Sequence, residues 1–166
     1  MQTTTETSLP ISNGRQVVGF LAFALGTAVV AGLGSLATSS SVDSAWFADL
    51  DKPAFYPPGA LFGIVWTVLY ALVAVAGWLA WRRGGGSRVV IPWAVQIVLN
   101  VGWSLVFFGL RQPGWAMVVI VTLLAAIVWT IVAMWPHDHT AAYLMIPYLS
   151  WVVFATVLNG AIVALN

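Results

Sequence analysis

Residues 60–81, ALFGIVWTVLYALVAVAGWLAW, contain no charged side chain and no proline. At about 1.5 Å of rise per residue, roughly 20 such residues cross the hydrocarbon core of a bilayer. A single apolar run of this length can cross only as a helix, which satisfies its own backbone where no water is present. The stretch therefore reads as a membrane-spanning helix. Four more uncharged apolar runs lie at about residues 17–39, 89–110, 115–135 and 141–165. The expected fold is all-α, an integral membrane bundle of five transmembrane helices over residues 17–166, preceded by a polar N-terminal tail, residues 1–16.

Composition agrees with that reading. Charged residues make up 7% of the 166 positions and hydrophobic residues 61%, whereas a soluble domain carries about 25% charged residues. The charges are confined to the breaks: Glu6 and Arg15 precede the first run, and Asp43, Asp49, Asp51, Lys52, Arg82, Arg83, Arg88, Arg111 and Asp138 separate the later ones. The breaks also hold turn residues: the serines 39–41, Lys52-Pro53, Pro57-Pro58, Gly84-Gly85-Gly86-Ser87, Gln112-Pro113-Gly114 and Pro136-His137-Asp138-His139. Because Arg15 precedes a run too long for a signal-peptide core, that run reads as a retained first span. On the N-terminal side stand Arg15, Arg82, Arg83 and Arg88, against Lys52 and Arg111 on the other, which places the N-terminus in the cytoplasm by the positive-inside rule.

Several function classes lose their chemistry. With no cysteine, thiolate metal sites, disulfides and cysteine nucleophiles are closed. A net charge of +1 points to no nucleic-acid partner. No Asp, Glu, Lys, Arg or His falls inside a span, so a titratable relay of the kind proton-coupled pumps use is missing. Five spans cannot divide into two equal inverted repeats. Neither a nucleophile with a base nor a paired carboxylate is evident, which leaves acid–base and nucleophilic catalysis without a seat. The trio His137-Asp138-His139 lies in a polar turn and reads as solvated; no metal site is expected.

What remains is aromatic. Of the ten tryptophans, Trp78, Trp81, Trp93, Trp115 and Trp135 stand at run ends, where indoles anchor at the bilayer interface. Trp66, Trp103, Trp129 and Trp151 lie deeper, where the indole N–H needs a partner that lipid cannot give. Those four are candidates for an interior cavity. Asn100, Trp103 and Phe107 share one helical face at i, i+3 and i+7, and Trp66 and Tyr70 pair at i, i+4. Tyr148, Trp151, Ala155 and Asn159 fall near one stripe. An amide inside a span turns inward either to glue helices or to hold a ligand; Asn100, with Gln96 one turn before it, fits both roles, and Asn159 fits glue. Pro147 is expected to kink the fifth span. Gly26, Gly32 and Gly34 suit close helix packing, within one copy or between two. The first linker, residues 40–59, is long for a bundle and carries Trp46, Phe47, Phe55 and Tyr56, so it reads as a lid or binding element.

Four segments in order resemble motifs of the TspO/MBR family of small tryptophan-rich membrane proteins. They are Trp46-Phe47 through Lys52-Pro53 to Pro57-Pro58, Trp66-Thr67-Val68-Leu69-Tyr70, Leu99-Asn100-Val101-Gly102-Trp103-Ser104 with Phe107-Phe108, and Pro147-Tyr148-Leu149-Ser150-Trp151 with Ala155-Thr156-Val157-Leu158-Asn159. The resemblance runs from about residue 46 to the end. It implies a five-helix fold, a homodimer, and a cavity beneath the first loop that binds porphyrins and other apolar small molecules. By position the ligand-binding residues would be Phe47, Trp66, Asn100, Trp103, Phe107, Tyr148, Trp151 and Ala155. Porphyrin enters as ligand, and no cofactor is required. The implied functions, in order, are a receptor or sensor, a translocator, and a light-dependent porphyrin-degrading activity in which Trp66 and Trp151 carry the redox chemistry. The short form and the missing sterol motif point to a bacterial cell membrane. Phe47 stands where many members have tyrosine. After Leu158 the chain lacks the Tyr and Lys or Arg of the sterol-recognition pattern, so sterol binding by that motif does not carry over.

Overall fold

The computed structural model describes residues 12–166; most of the polar tail, Glu6 included, lies outside the described residues. Seven α-helices follow in order: α1 Asn13–Val42, α2 Ala45–Asp49, α3 Gly59–Ala80, α4 Gly86–Ser104, α5 Pro113–Met134, α6 His139–Leu144 and α7 Ile146–Leu165. No strand occurs among the described residues. Wide π-type turns close α3 at Trp81–Gly85 and α4 at Leu105–Gly109. Helix is the expected outcome for uncharged runs, because in a bilayer every backbone N–H and C=O must find its partner within the segment.

Residues Gly59–Gly109 form 51 nearly continuous helical residues, which would extend about 76 Å if straight, far beyond a hydrocarbon core of roughly 30 Å. The chain reverses instead. Gly84 and Gly86 take φ of 91° and 47°, a region that side chains with a Cβ disfavour, and α4 returns antiparallel to α3. Two pairings fix the register of that hairpin: the Trp93 indole donates to the Val73 carbonyl at 3.0 Å, and the Tyr70 hydroxyl to Asn100 Oδ1 at 2.6 Å. Five crossings result, made by α1, α3, α4, α5 and the α6–α7 pair. They close a ring in which α1 packs on α3 and α4, α4 on α5, α5 on α7, and α6 and α7 return to α3.

The fifth crossing departs from expectation. Instead of one span kinked at Pro147, α6 ends at Leu144, Met145 forms the corner, and Pro147 occupies the first turn of α7. There its missing N–H leaves no hydrogen bond unmade. Asp138 caps α6 by accepting from the Ala141 N–H at 3.1 Å and faces Arg83 across 3.8 Å. That carboxylate thus serves the fold. Of the small residues in α1, Gly26 faces Trp93 and Gly34 faces Ser104 and Tyr70, both within the bundle, while the Cβ position of Gly32 is open.

Two tryptophans also depart. Trp93, expected at the interface, is buried in the core with its ring against Phe23, 4.6 Å between centroids. It fits because Gly77 has no side chain: a Cβ there would lie 2.6 Å from Phe23 and 2.7 Å from the Trp93 indole nitrogen. Trp129, expected inside, is 49% exposed on the lipid side. The inner stripe of α5 is Ala116, Ile120, Leu123, Ile127, Thr130 and Met134, and Trp129 falls off it.

Candidate functional site

The site grows from a seam between α3 and α7, which run antiparallel and meet through their rings. Trp66 stacks on Tyr70 one turn later, 5.2 Å between centroids at 28°, and meets Tyr148 of α7 edge-on at 6.2 Å. Asn100 of α4, 1% exposed, closes this group from the third side. Its Oδ1 accepts from the Tyr70 hydroxyl at 2.6 Å, and its Nδ2 donates to the Tyr148 oxygen at 3.2 Å. One amide thereby ties three crossings together in a medium that offers no competing partner.

One turn along the seam, Trp151 packs between Phe62, at 5.7 Å, and Phe154, at 5.2 Å. Its indole nitrogen is buried and has no hydrogen-bond partner. The contrast with the other core indoles is sharp. Trp93 is bonded to Val73, and Trp103 donates to Asn159 Oδ1 at 3.0 Å while Asn159 Nδ2 donates to the Pro113 carbonyl at 2.9 Å. Trp103 and Asn159 accordingly join α4, α7 and the start of α5. Gln96 resembles Trp151 in this respect: it is 0% exposed, and neither its amide oxygen nor its nitrogen has a partner. An unpartnered buried polar group costs roughly 1–3 kcal/mol, so both positions carry polar capacity that the folded chain does not use.

The first loop lies over this end of the bundle. Ser44 caps α2, accepting from the Phe47 N–H at 3.3 Å, and Ser41 reaches across to donate to the Phe108 carbonyl at 2.8 Å. Lys52 turns back on the loop, donating to the Phe47 and Leu50 carbonyls with its ammonium 4.5 Å from the Phe47 ring centroid. Asp51 and Asn166 exchange two hydrogen bonds of 3.0 Å each. A continuous chain of ring contacts crosses the loop, from Trp103 through Phe107, Trp46, Phe47, Tyr56 and Phe62 to Trp151. Phe55 touches Phe154 at the far edge. Burial raises the Tyr56 phenol above its ordinary pKa.

The residues singled out from sequence therefore fall in two groups. Trp66, Asn100, Tyr148 and Trp151 line the α3–α7 seam, with Ala155 buried one turn beyond Trp151. Trp103 and Phe107 belong to a second cluster with Trp46, Phe47 and Phe108, joined to the first through the loop. Sequence reasoning left Phe62, Tyr70, Tyr56 and Phe154 off the site. Two of these had a signal, since Phe62 and Tyr70 stand one turn before and after Trp66. No group of three His, Cys, Asp or Glu side chains that could hold a metal occurs among the described residues.

A TspO/MBR family model matches residues 21–165. The tryptophan-rich protein TspO of Archaeoglobus fulgidus is 43% identical over 135 residues, covering 80% of this chain and 87% of its own. The human translocator protein is 39% identical over 119 residues, 69% of this chain and 70% of its own. A tryptophan-rich sensory protein of Cereibacter sphaeroides is 31% identical over 146 residues, 87% and 92% of the two chains. The family match reaches into all five crossings and takes in the first loop, and with these relatives and apolar helices long enough to cross a bilayer it identifies the chain as an integral multi-pass membrane protein of the TspO/MBR family.

Proposed function

We propose that this protein is a membrane receptor or translocator that binds a porphyrin-type tetrapyrrole, or another flat apolar molecule, along the α3–α7 seam beneath the first loop. The observation that carries the reading is the Trp151 indole N–H, buried between Phe62 and Phe154 with no acceptor. A mostly apolar site with a few fixed polar groups is what small-molecule recognition requires. Trp66, Tyr148 and Trp151 offer ring faces, Trp151 Nε1 a donor and Gln96 an unpaired amide, while Asn100 holds Tyr70 and Tyr148 in place beside them. Phe47, Phe107, Trp103 and Ala155 bound the site on the loop side. The names of the relatives, translocator and sensory protein, support a membrane sensor or translocator. Titration with protoporphyrin IX in the dark, followed by tryptophan quenching, tests the reading. Saturable quenching that Trp151→Leu weakens at least several-fold is expected; quenching indifferent to that substitution overturns the site.

A second reading, light-dependent degradation of the porphyrin, is favoured by Trp66 and Trp151 sharing that seam. An excited porphyrin can pass an electron to dioxygen, giving superoxide and a porphyrin radical cation whose hole an adjacent indole can share; superoxide adding to that cation would put both oxygen atoms on the macrocycle and open it. The homodimer implied by the family belongs with the proposal as well, with the open face of α1 at Gly32 as the contact; cross-linking of Gly32→Cys in membranes tests it.

A further inference from the structure

At the end of the bundle opposite the first loop, a trough of about 440 Å³ opens between α4 and α5. It is lined by Ser87, Arg88, Ile91, Pro92, Trp129, Ala133, Pro136 and His137. We propose that this trough is a site for an anionic phospholipid, with its phosphate at Arg88, Ser87 and His137 and one acyl chain lying along Ile91, Pro92, Trp129 and Ala133.

Three features carry the assignment. The trough is graded: polar side chains stand at its mouth, at the ends of α4 and α5, and apolar ones fill its depth, which is the division a phospholipid itself has. Its shape follows from sequence, because Pro92 and Ala133 are short while Ile91 and Trp129 stand as walls, half-exposed toward lipid. The second feature is charge. Arg88 is exposed and makes no ion pair among the described residues, and the neighbouring Asp138 carboxylate is engaged by Arg83 and the α6 cap. The mouth is thus net positive. Basic pockets between transmembrane helices near one leaflet recognise acidic headgroups, and each basic side chain near the surface favours an acidic lipid by about fivefold. The third feature is Trp129, whose indole N–H has no partner among the described residues although it sits in the span, about 7.5 Å inside the end of α5. Hydrocarbon offers it no acceptor; the ester carbonyls of a lipid seated in the trough reach that depth.

The test compares tryptophan quenching by phosphatidylglycerol and by phosphatidylcholine carrying brominated acyl chains, at equal mole fraction in mixed vesicles. The parent protein is expected to show excess quenching by the brominated phosphatidylglycerol, equivalent to about fivefold local enrichment. Arg88→Gln removes the charge and Ala133→Phe fills the trough; each should abolish the excess, while Arg111→Gln, at the opposite end, should keep it. Both Arg88 and the Ala133 position border lipid, so neither change disturbs the core, and retention of the helical circular dichroism spectrum verifies this. No excess in the parent, an excess that survives Arg88→Gln or Ala133→Phe, or an equal loss in Arg111→Gln overturns the proposal. Survival in Ala133→Phe alone would assign the preference to surface charge and not to the trough.

Discussion

Replacing Asn100 by alanine should lower stability by about 2–4 kcal/mol, and the figure can be worked from its two bonds. Alanine keeps helix propensity, so the loss is in side-chain bonding. The Tyr148 hydroxyl, 1% exposed, loses its amide partner in a dry interior, where stranding costs about 1–3 kcal/mol. The Tyr70 hydroxyl is only part-buried and takes the smaller figure for a bond inside a membrane protein, about 0.6 kcal/mol. At about 2–4 °C per kcal/mol for a chain of this size, the midpoint of thermal unfolding in detergent should fall by on the order of 5–15 °C, as read by near-ultraviolet circular dichroism. A double-mutant cycle sharpens the test. In a Tyr148→Phe background there is no Tyr148 hydroxyl to strand, so Asn100→Ala should cost markedly less than in the parent, and the coupling should exceed about 0.5 kcal/mol. An unchanged midpoint in Asn100→Ala, or strict additivity in the cycle, would refute the Asn100 amide as the tie between these three crossings.

Other substitutions separate roles in the same way. Trp151→Phe keeps a stacking face and removes both the indole N–H and the oxidisable ring, so it should weaken dark affinity for protoporphyrin IX by the few-fold to about tenfold that one neutral hydrogen bond is worth, and at saturation stop any light-driven loss of its absorbance; bleaching at the parent rate would remove Trp151 from that chemistry. Gly77→Ala puts a Cβ within 2.7 Å of the Phe23 and Trp93 rings, an overpacking that should cost about 1–3 kcal/mol in a thermal melt. Lys52→Met deletes the two donations to loop carbonyls and should speed proteolysis within residues 50–58 several-fold, an effect absent if the loop is held by its rings alone.

The spans were legible because their signal is one-dimensional. An uncharged run must be helical in lipid whatever surrounds it, and the turns fall where Gly84, Gly86 and the Pro136–Asp138 break stand. The Met145 corner was not legible, because Pro147 suits the first turn of a helix as well as a kink and only packing of α6 against α3 decides between them. The outward position of Trp129 is legible, since the stripe Ala116, Ile120, Leu123, Ile127, Thr130 and Met134 already excludes it; depth along a run is not depth in the bundle. Trp93 could not, because its burial depends on Gly77 of a different helix. The same limit applied to the site. Trp66, Tyr70 and Asn100 stand out as aromatics and an amide on inward faces, and Phe62 lies one turn before Trp66, but Tyr56 and Phe154 enter only through ring contacts made across the loop and the seam.

Hydrogen bonding, more than aromatic character, divides this interior into scaffold and site. Trp93, Trp103, Asn159 and Asn100 are all satisfied by other helices, and each such bond fixes a crossing. Nothing in the fold requires Trp151 or Gln96 to be polar, because their buried nitrogens, and the Gln96 oxygen, meet no acceptor or donor. Phenylalanine and leucine would fill the same space without that cost. The proposed function accounts for both polar groups from outside the chain. In the proposed complex, a ligand with hydrogen-bonding groups at the rim of an apolar plane would cover the rings of the α3–α7 seam with its plane and meet Trp151 Nε1 and the Gln96 amide with its rim.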